Sequence, residues 1–395
     1  MPRKVEDWIS SYLDYVDETE PSMLYKKWVA ISTIAACLQR KVFINWGLLQ
    51  FYPNLFVVLV GPSGAQKGTA MSPAKNLLEM LGIPLVADSI TKEKLVIFLD
   101  EAGKNPREDP KTREPIVHSS LTAFATELTV LVHKDDIDFM SFLNKWYDCE
   151  NSFRYETKNK GSNIIPYVWF NLLGATTPGL VQDIFARNAV ALGLSSRIIY
   201  IYSEKKEKTI SIPTLSDGAK ELYKALLSDL SSMLGLYGVF KITEDFVEVY
   251  SSWVVYQDST PPFSDLIFEG YCNRRRQHVL KLCMILNVSR GGDMLINAND
   301  FNRALSILEE AEQVMPLVFR NVGKFAKADV LQRMIGMIEL RGSISKSEVI
   351  RAFKNDLTMT EIDQMLQTLR EAKICNREIG NPTGLGPEEV YIFIP

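Results

Sequence analysis

The residues best placed to do chemistry are Gly61, Ser63, Gly64, Ala65, Gln66, Lys67, Gly68 and Thr69, in the stretch GPSGAQKGT that follows the apolar run Leu55–Val60. A continuous apolar run of that length reads as a strand buried on both faces. A glycine-rich turn behind such a strand can aim backbone N–H groups at phosphate oxygens. Lys67 then reaches the β- and γ-phosphates, and the positive end of a helix opening near Gly68 faces them. The chemistry implied is binding of a nucleoside triphosphate, taken as ATP with Mg²⁺. The pattern G-x-x-x-x-G-K-[ST] is met only in part, because Gln66 and Gly68 flank the lysine and the hydroxyl arrives at Thr69. One residue turns a helical side chain by about 100°, so Thr69 serves the metal only in a loop built slightly differently. A glycine-containing β–α turn that binds nothing is the alternative.

Hydrolysis needs an acid over the metal and the attacking water, and two segments compete to supply it. Lys94–Glu101, KLVIFLDE, resembles a strand ending in Asp100–Glu101. Its Leu95, Phe98, Leu99 and Ala102, however, fall at the spacing of an amphipathic helix, with Thr91 as cap and Glu93 in the first turn. The helix is the better reading. The rival, Ser120–Val132, is rich in β-formers and delivers Glu127 at a strand's end, with Thr126 where many such enzymes carry aspartate. Glu127 is therefore favoured over Glu101 as the base and as a contributor to the Mg²⁺ site with Thr69.

Further along, Tyr167–Pro178 reads as a second long apolar strand ending in hydroxyls, so Thr176 or Thr177 can stand near a γ-phosphate; a turn or helix cap is the other reading. Arg197, just ahead of the strand in GLSSRIIYI, can reach a neighbouring subunit's nucleotide or make a surface salt bridge. In NRRRQHVLKL three successive arginines point three ways, and Arg275 is the first choice for a nucleotide contact.

Bulk properties bound the rest. The 395 residues suffice for two or three domains, and the formal net charge of -4 gives no global pull toward nucleic acid. No run of apolar residues is long enough to span a membrane, and the N-terminus is too acidic and polar for a signal peptide. Five dispersed cysteines without a C-x-x-C pair suggest a reducing cytoplasm, with neither disulfides nor zinc. The organisation expected is an N-terminal helical region and hairpin over 1–50, an α/β core over 51–205, an all-α lid over 206–325 and a small unit over 326–395. Residues 7–38 read as helices, with Trp28, Ile31, Ile34 and Ala35 on one apolar stripe; Lys41–Trp46 and Leu48–Tyr52 read as a hairpin. Gly103–Pro115 is charged and proline-rich and reads as an exposed loop. In the last unit, capping boxes at Ser345–Glu348 and Thr358–Glu361 start two helices after a first over Asp329–Arg341, and strands follow at Cys375–Ile379 and Glu389–Ile394. Three helices and a β-wing make a winged helix. Ten basic and ten acidic residues from Lys324 onward leave it without a basic stripe.

The ordered set YPNLFVVLVGPSGAQKGTA, HSSLTAFATELTVLV, WYDCENSFRYETK, NLLGATTPGLV and GLSSRIIYIY resembles a family of bacteriophage and prophage P-loop ATPases, usually described as primase/helicase or replicative helicase proteins. The likeness covers most of Asp7–Lys324. It implies an additional-strand, AAA+-like P-loop core, a Gly-Thr pair after the lysine, an acid-bearing strand at HSSLTAFATEL ending in Glu127, and an arginine matching Arg197. Helicases of the superfamily 3 and MCM type carry a lysine-tipped hairpin at the place of Ser152–Trp169, which by that analogy puts Lys158 and Lys160 on DNA phosphates in a hexamer's central channel. An exposed turn with solvated lysines is the alternative. The expectation is an ATP-driven, ring-forming DNA helicase or translocase in the cytoplasm of a bacterial host, working on DNA, single-stranded in the channel, with other replication proteins. The alternative is a nucleotide-switched, DNA-binding replication initiator or helicase loader without net unwinding.

Overall fold

Asp7 and Ser22 open the first two helices, α1 (Trp8–Tyr15) and α2 (Met23–Leu38), by accepting the backbone N–H groups of Ser10 and Tyr25. The computed structural model describes residues 3–86, 90–104, 107–108, 113, 115–133, 136–157, 161–185, 193–319, 324–354, 357–381 and 386–394. The sequence stripe on α2 understates its burial. Lys26, Ser32 and Thr33 are buried as well as Trp28, Ile31, Ile34 and Ala35, so the helix is enclosed on every side. The polar groups tolerate this because they find carbonyls: Lys26 Nζ donates to Thr19 O at 2.8 Å and Thr33 Oγ1 to Val29 O at 2.7 Å.

The expected hairpin follows as β1 (Val42–Trp46) and β2 (Leu49–Phe51), paired antiparallel. Then comes β3 (Phe56–Val60), every residue of which is buried. Helix α3 (Lys67–Met80) leaves the turn behind it. The KLVIFLDE segment lies within a helix, α4 (Lys92–Gly103), with Thr91 capping Lys94 N. Of the charged Gly103–Pro115 segment, β4 (Arg107–Glu108) pairs with β5 (Pro115–Ile116), and most of the remainder lies outside the described residues. Next come β6 (Ser119–Ala125), the single turn α5 (Leu128–Leu131), and α6 (Ile137–Tyr147). The hairpin β7 (Ser152–Thr157) and β8 (Gly161–Pro166) leads into β9 (Val168–Thr176), then α7 (Pro178–Phe185) and β10 (Ile198–Tyr202).

Strands β10, β3, β9 and β6 lie side by side in that order, all parallel. An isolated parallel bridge from Leu85 to Thr122, with Val86 N donating to Thr122 O at 2.9 Å, extends the sheet beyond β6. Strand β9 thus stands between β3 and β6, with Val60 level with Thr176 and Ala125 level with Gly174. The C-terminal ends of β3, β6 and β9 therefore open on one edge of the sheet, whereas the residue ahead of β10 lies on the other.

The region expected as an all-α lid is different. Its helices Asp217–Met233, Glu244–Ser259, Glu269–Ser289 and Ala298–Val314 are interrupted by β11 (Gly238–Ile242) and β12 (Leu295–Ile296). These strands join the N-terminal hairpin in a second sheet of order β12-β11-β1-β2. Short strands such as GVFKI carry too few residues to stand out from helical periodicity on both sides. The first compact unit accordingly runs over Met1–Phe319 and joins the N-terminal helices, the parallel sheet and this helical region around one core.

The second unit, Arg320–Pro395, has a core of its own. Its order is helix Lys324–Arg341, β13 (Ser343–Ser345), helix Lys346–Phe353, helix Met359–Glu371, β14 (Cys375–Gly380) and β15 (Glu388–Phe393). Both capping boxes form as read, Ser345 with Glu348 and Thr358 with Glu361. The strand β13, too short to read from sequence, pairs with β15 at the sheet's edge.

Candidate functional site

Gly61 begins the turn after β3 in a place where no side chain fits: a Cβ there would lie 2.3 Å from Ser203 O and 2.4 Å from the Tyr25 hydroxyl. That hydroxyl reaches back to both strand ends, 2.7 Å from Val60 O and 3.0 Å from Ser203 O. A residue of α2 therefore fixes the base of the loop. The chain then turns through Gly64 at φ +88° and Gln66 at φ 59°, and α3 starts at Lys67.

The Lys67 ammonium donates to Gly61 O at 2.7 Å and Pro62 O at 2.8 Å, and burial lowers its pKa. Gln66 is tied on two sides: its Nε2 lies 3.4 Å from Glu20 Oε2, and its Oε1 accepts the Thr69 hydroxyl at 2.7 Å. The left-handed backbone at Gln66 stands where the pattern G-x-x-x-x-G-K-[ST] has glycine, and the Thr69 hydroxyl bonds back to the Gln66 side chain.

Ser63, Gly64, Gln66, Lys67, Gly68 and Thr69 line one wall of an open cleft of about 470 Å³. Thr126, Glu127 and Thr129 form a second wall, and Ala175, Thr176, Thr177 and Leu180 a third. Glu127 follows β6 and is exposed, as is Thr126. Its position is set by Leu128, which packs where Gly174 of β9 leaves room; a Cβ on Gly174 would come within 2.9 Å of Leu128 Cδ1. Thr176 ends β9 with its hydroxyl buried and without a hydrogen-bond partner. Such a group costs about 1–3 kcal/mol unless something pairs with it. Glu101, the rival acid, lies in the last turn of α4, outside the cleft lining.

The donor set fits a nucleoside triphosphate: one ammonium, the N-terminal turn of a 14-residue helix, and an unsatisfied hydroxyl between them and a carboxylate. For Mg²⁺ the cleft offers the hard oxygens of Thr69 and Glu127. One carboxylate and one hydroxyl suit a cation that arrives on phosphates and keeps several waters.

Arg197 and Arg275 lie elsewhere. Arg197 precedes β10 at the opposite edge of the sheet. Its Nη2 donates to Asp148 Oδ2 at 2.5 Å, its Nε to Asp148 Oδ1 at 3.3 Å and its Nη1 to Gly193 O at 2.7 Å. It cannot serve the cleft of its own chain. Arg275, expected at the nucleotide, does not line the cleft. It is buried, with Nε and Nη2 each 2.7 Å from a carboxylate oxygen of Glu312, and it faces the Trp253 ring. The reason is helical phase: Tyr271, Arg275, His278 and Leu282 form the inward stripe of Glu269–Ser289. On the adjacent stripe Gly270 and Arg274 meet Ser196 and Asp148, which sequence reasoning passed over, and Lys281 reaches Asn54.

The hairpin β7–β8 forms with Phe153 level with Ile165, so Ile164 and Ile165 belong to β8 while Val168 and Trp169 begin β9. Lys158 and Lys160, at its tip, lie outside the described residues. Among the described residues no helix is long and apolar enough to cross a membrane. No protein-family model matches this chain, and no curated protein is similar to it in sequence.

Proposed function

We propose that this chain is an ATP-hydrolysing motor that works as a hexameric ring and that it translocates on and unwinds DNA in phage replication. The observation that carries the reading is the meeting of Lys67, Thr69, Glu127 and Thr176 in one cleft at the C-terminal ends of parallel strands. The strand order, with β9 inserted between the loop strand and the acid-bearing strand, is the arrangement an additional-strand P-loop core requires. In this reading Lys67 and the first turn of α3 bind and orient the phosphates, Glu127 polarises the attacking water, and Thr176 donates toward the γ-phosphate. Thr69 and Glu127 would hold Mg²⁺, which would supply positive charge beside the phosphates. Arg197, placed away from its own cleft, acts on a neighbour's nucleotide, which is the reason to infer a ring. Lys158 and Lys160 grip DNA phosphates. The order of helices and strands in residues 320–395 suits a winged helix, whose balanced charge fits protein contact better than base reading.

The test is steady-state ATPase of the purified full chain with Mg²⁺, with and without single-stranded DNA. Turnover that rises with DNA supports the motor, and absence of ATPase across salt and magnesium conditions counts against it. One feature favours a second reading. Thr126 occupies the place of a metal-binding aspartate, leaving Glu127 as the carboxylate of the cleft. A nucleotide-switched initiator or loader would bind ATP promptly, turn it over negligibly and displace no strand.

A further inference from the structure

Arg197 does not stand alone at its edge of the sheet. Asp148, which caps α6, accepts from Arg197 and, through Oδ1 at 3.4 Å, from Arg274 Nη1. Arg274 is drawn in further by Ser196, whose Oγ accepts its Nε at 3.1 Å, and Gly270 allows the approach because a Cβ there would lie 2.9 Å from Ser196 Cβ. Beside them Lys281 is buried, with its ammonium on Asn54 Oδ1 at 2.6 Å and over the Tyr147 ring at 3.9 Å. Three cations thus share this corner, and among the described residues the carboxylate paired with them is Asp148 alone. The excess is felt: burial first, then the charge of Arg197, lowers the pKa of Arg274, and burial brings Lys281 down to about 8.

The corner opens on a pocket of about 280 Å³ lined by Leu49, Tyr52, Asp148, Arg274, Gln277 and Lys281, among others. Leu48 and Leu49, at the tip of the β1–β2 hairpin beside it, are exposed apolar residues. A pocket edged by more cations than carboxylates, next to an exposed apolar tip, suits an anion presented by another protein surface.

We propose that Arg274, the more exposed of the two arginines that share Asp148, makes the contact with the terminal phosphates of a nucleotide held in the cleft of a neighbouring copy, with the buried Arg197 behind it. The assignment rests on the phosphate-loop reading of that cleft. It makes Arg274, and not the buried Arg275, the arginine of the NRRR run that meets the nucleotide. Arg274 is a quarter exposed and tied to one shared carboxylate, whereas Arg275 is closed in by Glu312.

The test compares wild type, Arg274→Ala and Arg274→Lys as full chains, with thermal melting as a check on folding. Binding of a fluorescent ATP analogue should be unchanged in both variants, because each keeps its own cleft. Nucleotide-dependent self-association, read by sedimentation, should be lost in Arg274→Ala and partly kept in Arg274→Lys. Turnover should fall by about 100-fold or more in Arg274→Ala. Mixing Arg274→Ala with Lys67→Ala, which retains both arginines, should restore turnover above that of either alone. Self-association and turnover equal to wild type in Arg274→Ala, or loss of analogue binding in a variant that melts normally, would overturn the contact. A wild-type chain that binds no analogue overturns the phosphate-loop reading itself and the contact with it.

Discussion

The two edges of the parallel sheet treat their polar groups in opposite ways. At the C-terminal ends of the strands, Lys67 rests on two loop carbonyls, Glu127 is exposed, and the Thr176 hydroxyl is buried without a partner. At the other edge, Arg197 is clasped by Asp148 and Gly193, and Arg274 is tied to Asp148, Ser196 and Gln277. Below that edge, Arg275 is sealed against Glu312 and His278 against Tyr147. In the cleft the ammonium of Lys67 holds only neutral carbonyls and the Thr176 hydroxyl holds nothing, so a ligand has little to displace. At the other edge the two arginines share one charged partner, Asp148. Groups buried deeper, such as Arg275 on Glu312, serve the fold.

The difference is testable by substitutions of opposite consequence. Glu127→Gln should leave nucleotide binding intact and lower turnover by about 100-fold or more, because the amide fills the space but cannot accept the water's proton. Glu101→Gln should turn over normally. The reverse result would return the acid to α4. Arg275→Ala should instead be a stability mutant: leaving Glu312 buried and uncompensated costs on the order of 3–5 kcal/mol, read as a lower urea midpoint.

Acid should act on the deeply buried groups. Burial holds the His278 pKa at about 3, against 6.5 for an ordinary histidine. The unfolded chain therefore takes up a proton that the folded chain refuses, and stability falls as pH drops from 6.5 toward 3. The loss amounts to roughly 3 kcal/mol by pH 4. His278→Asn should flatten that part of the urea-midpoint profile, and an unchanged slope would show that other groups set it. The smallest effect belongs to Thr176→Val. Stability should hold or rise, since an unpaired buried hydroxyl is removed, while turnover falls about tenfold. A stability loss with normal turnover would place Thr176 among the structural groups.

Strand β3 and helix α4 were legible because burial on both faces and a capped amphipathic stripe each leave a strong local pattern. That the turn over residues 61–69 and Glu127 would each follow a strand was legible for a related reason: their spacing runs directly on from an apolar segment. The two strands Gly238–Ile242 and Leu295–Ile296 were not, because their identity depends on pairing with residues far away in the chain. Arg275 was misplaced since three adjacent arginines look alike until the phase of the buried stripe through Tyr271 and His278 is fixed. Asp148 carried no signal of its own; its role comes from lying at the end of α6 beside a strand 50 residues on, as the Asp148–Arg197 pair shows by a sequence separation of 49.

The central claim is that residues 61–69 hold nucleotide phosphates through Lys67. Its most direct measurement is titration of wild type and Lys67→Ala with a fluorescent ATP analogue in the presence of Mg²⁺. Saturable binding by wild type, abolished in a Lys67→Ala chain that melts normally, is the result expected. Equal binding by both proteins, or none by wild type, would contradict it.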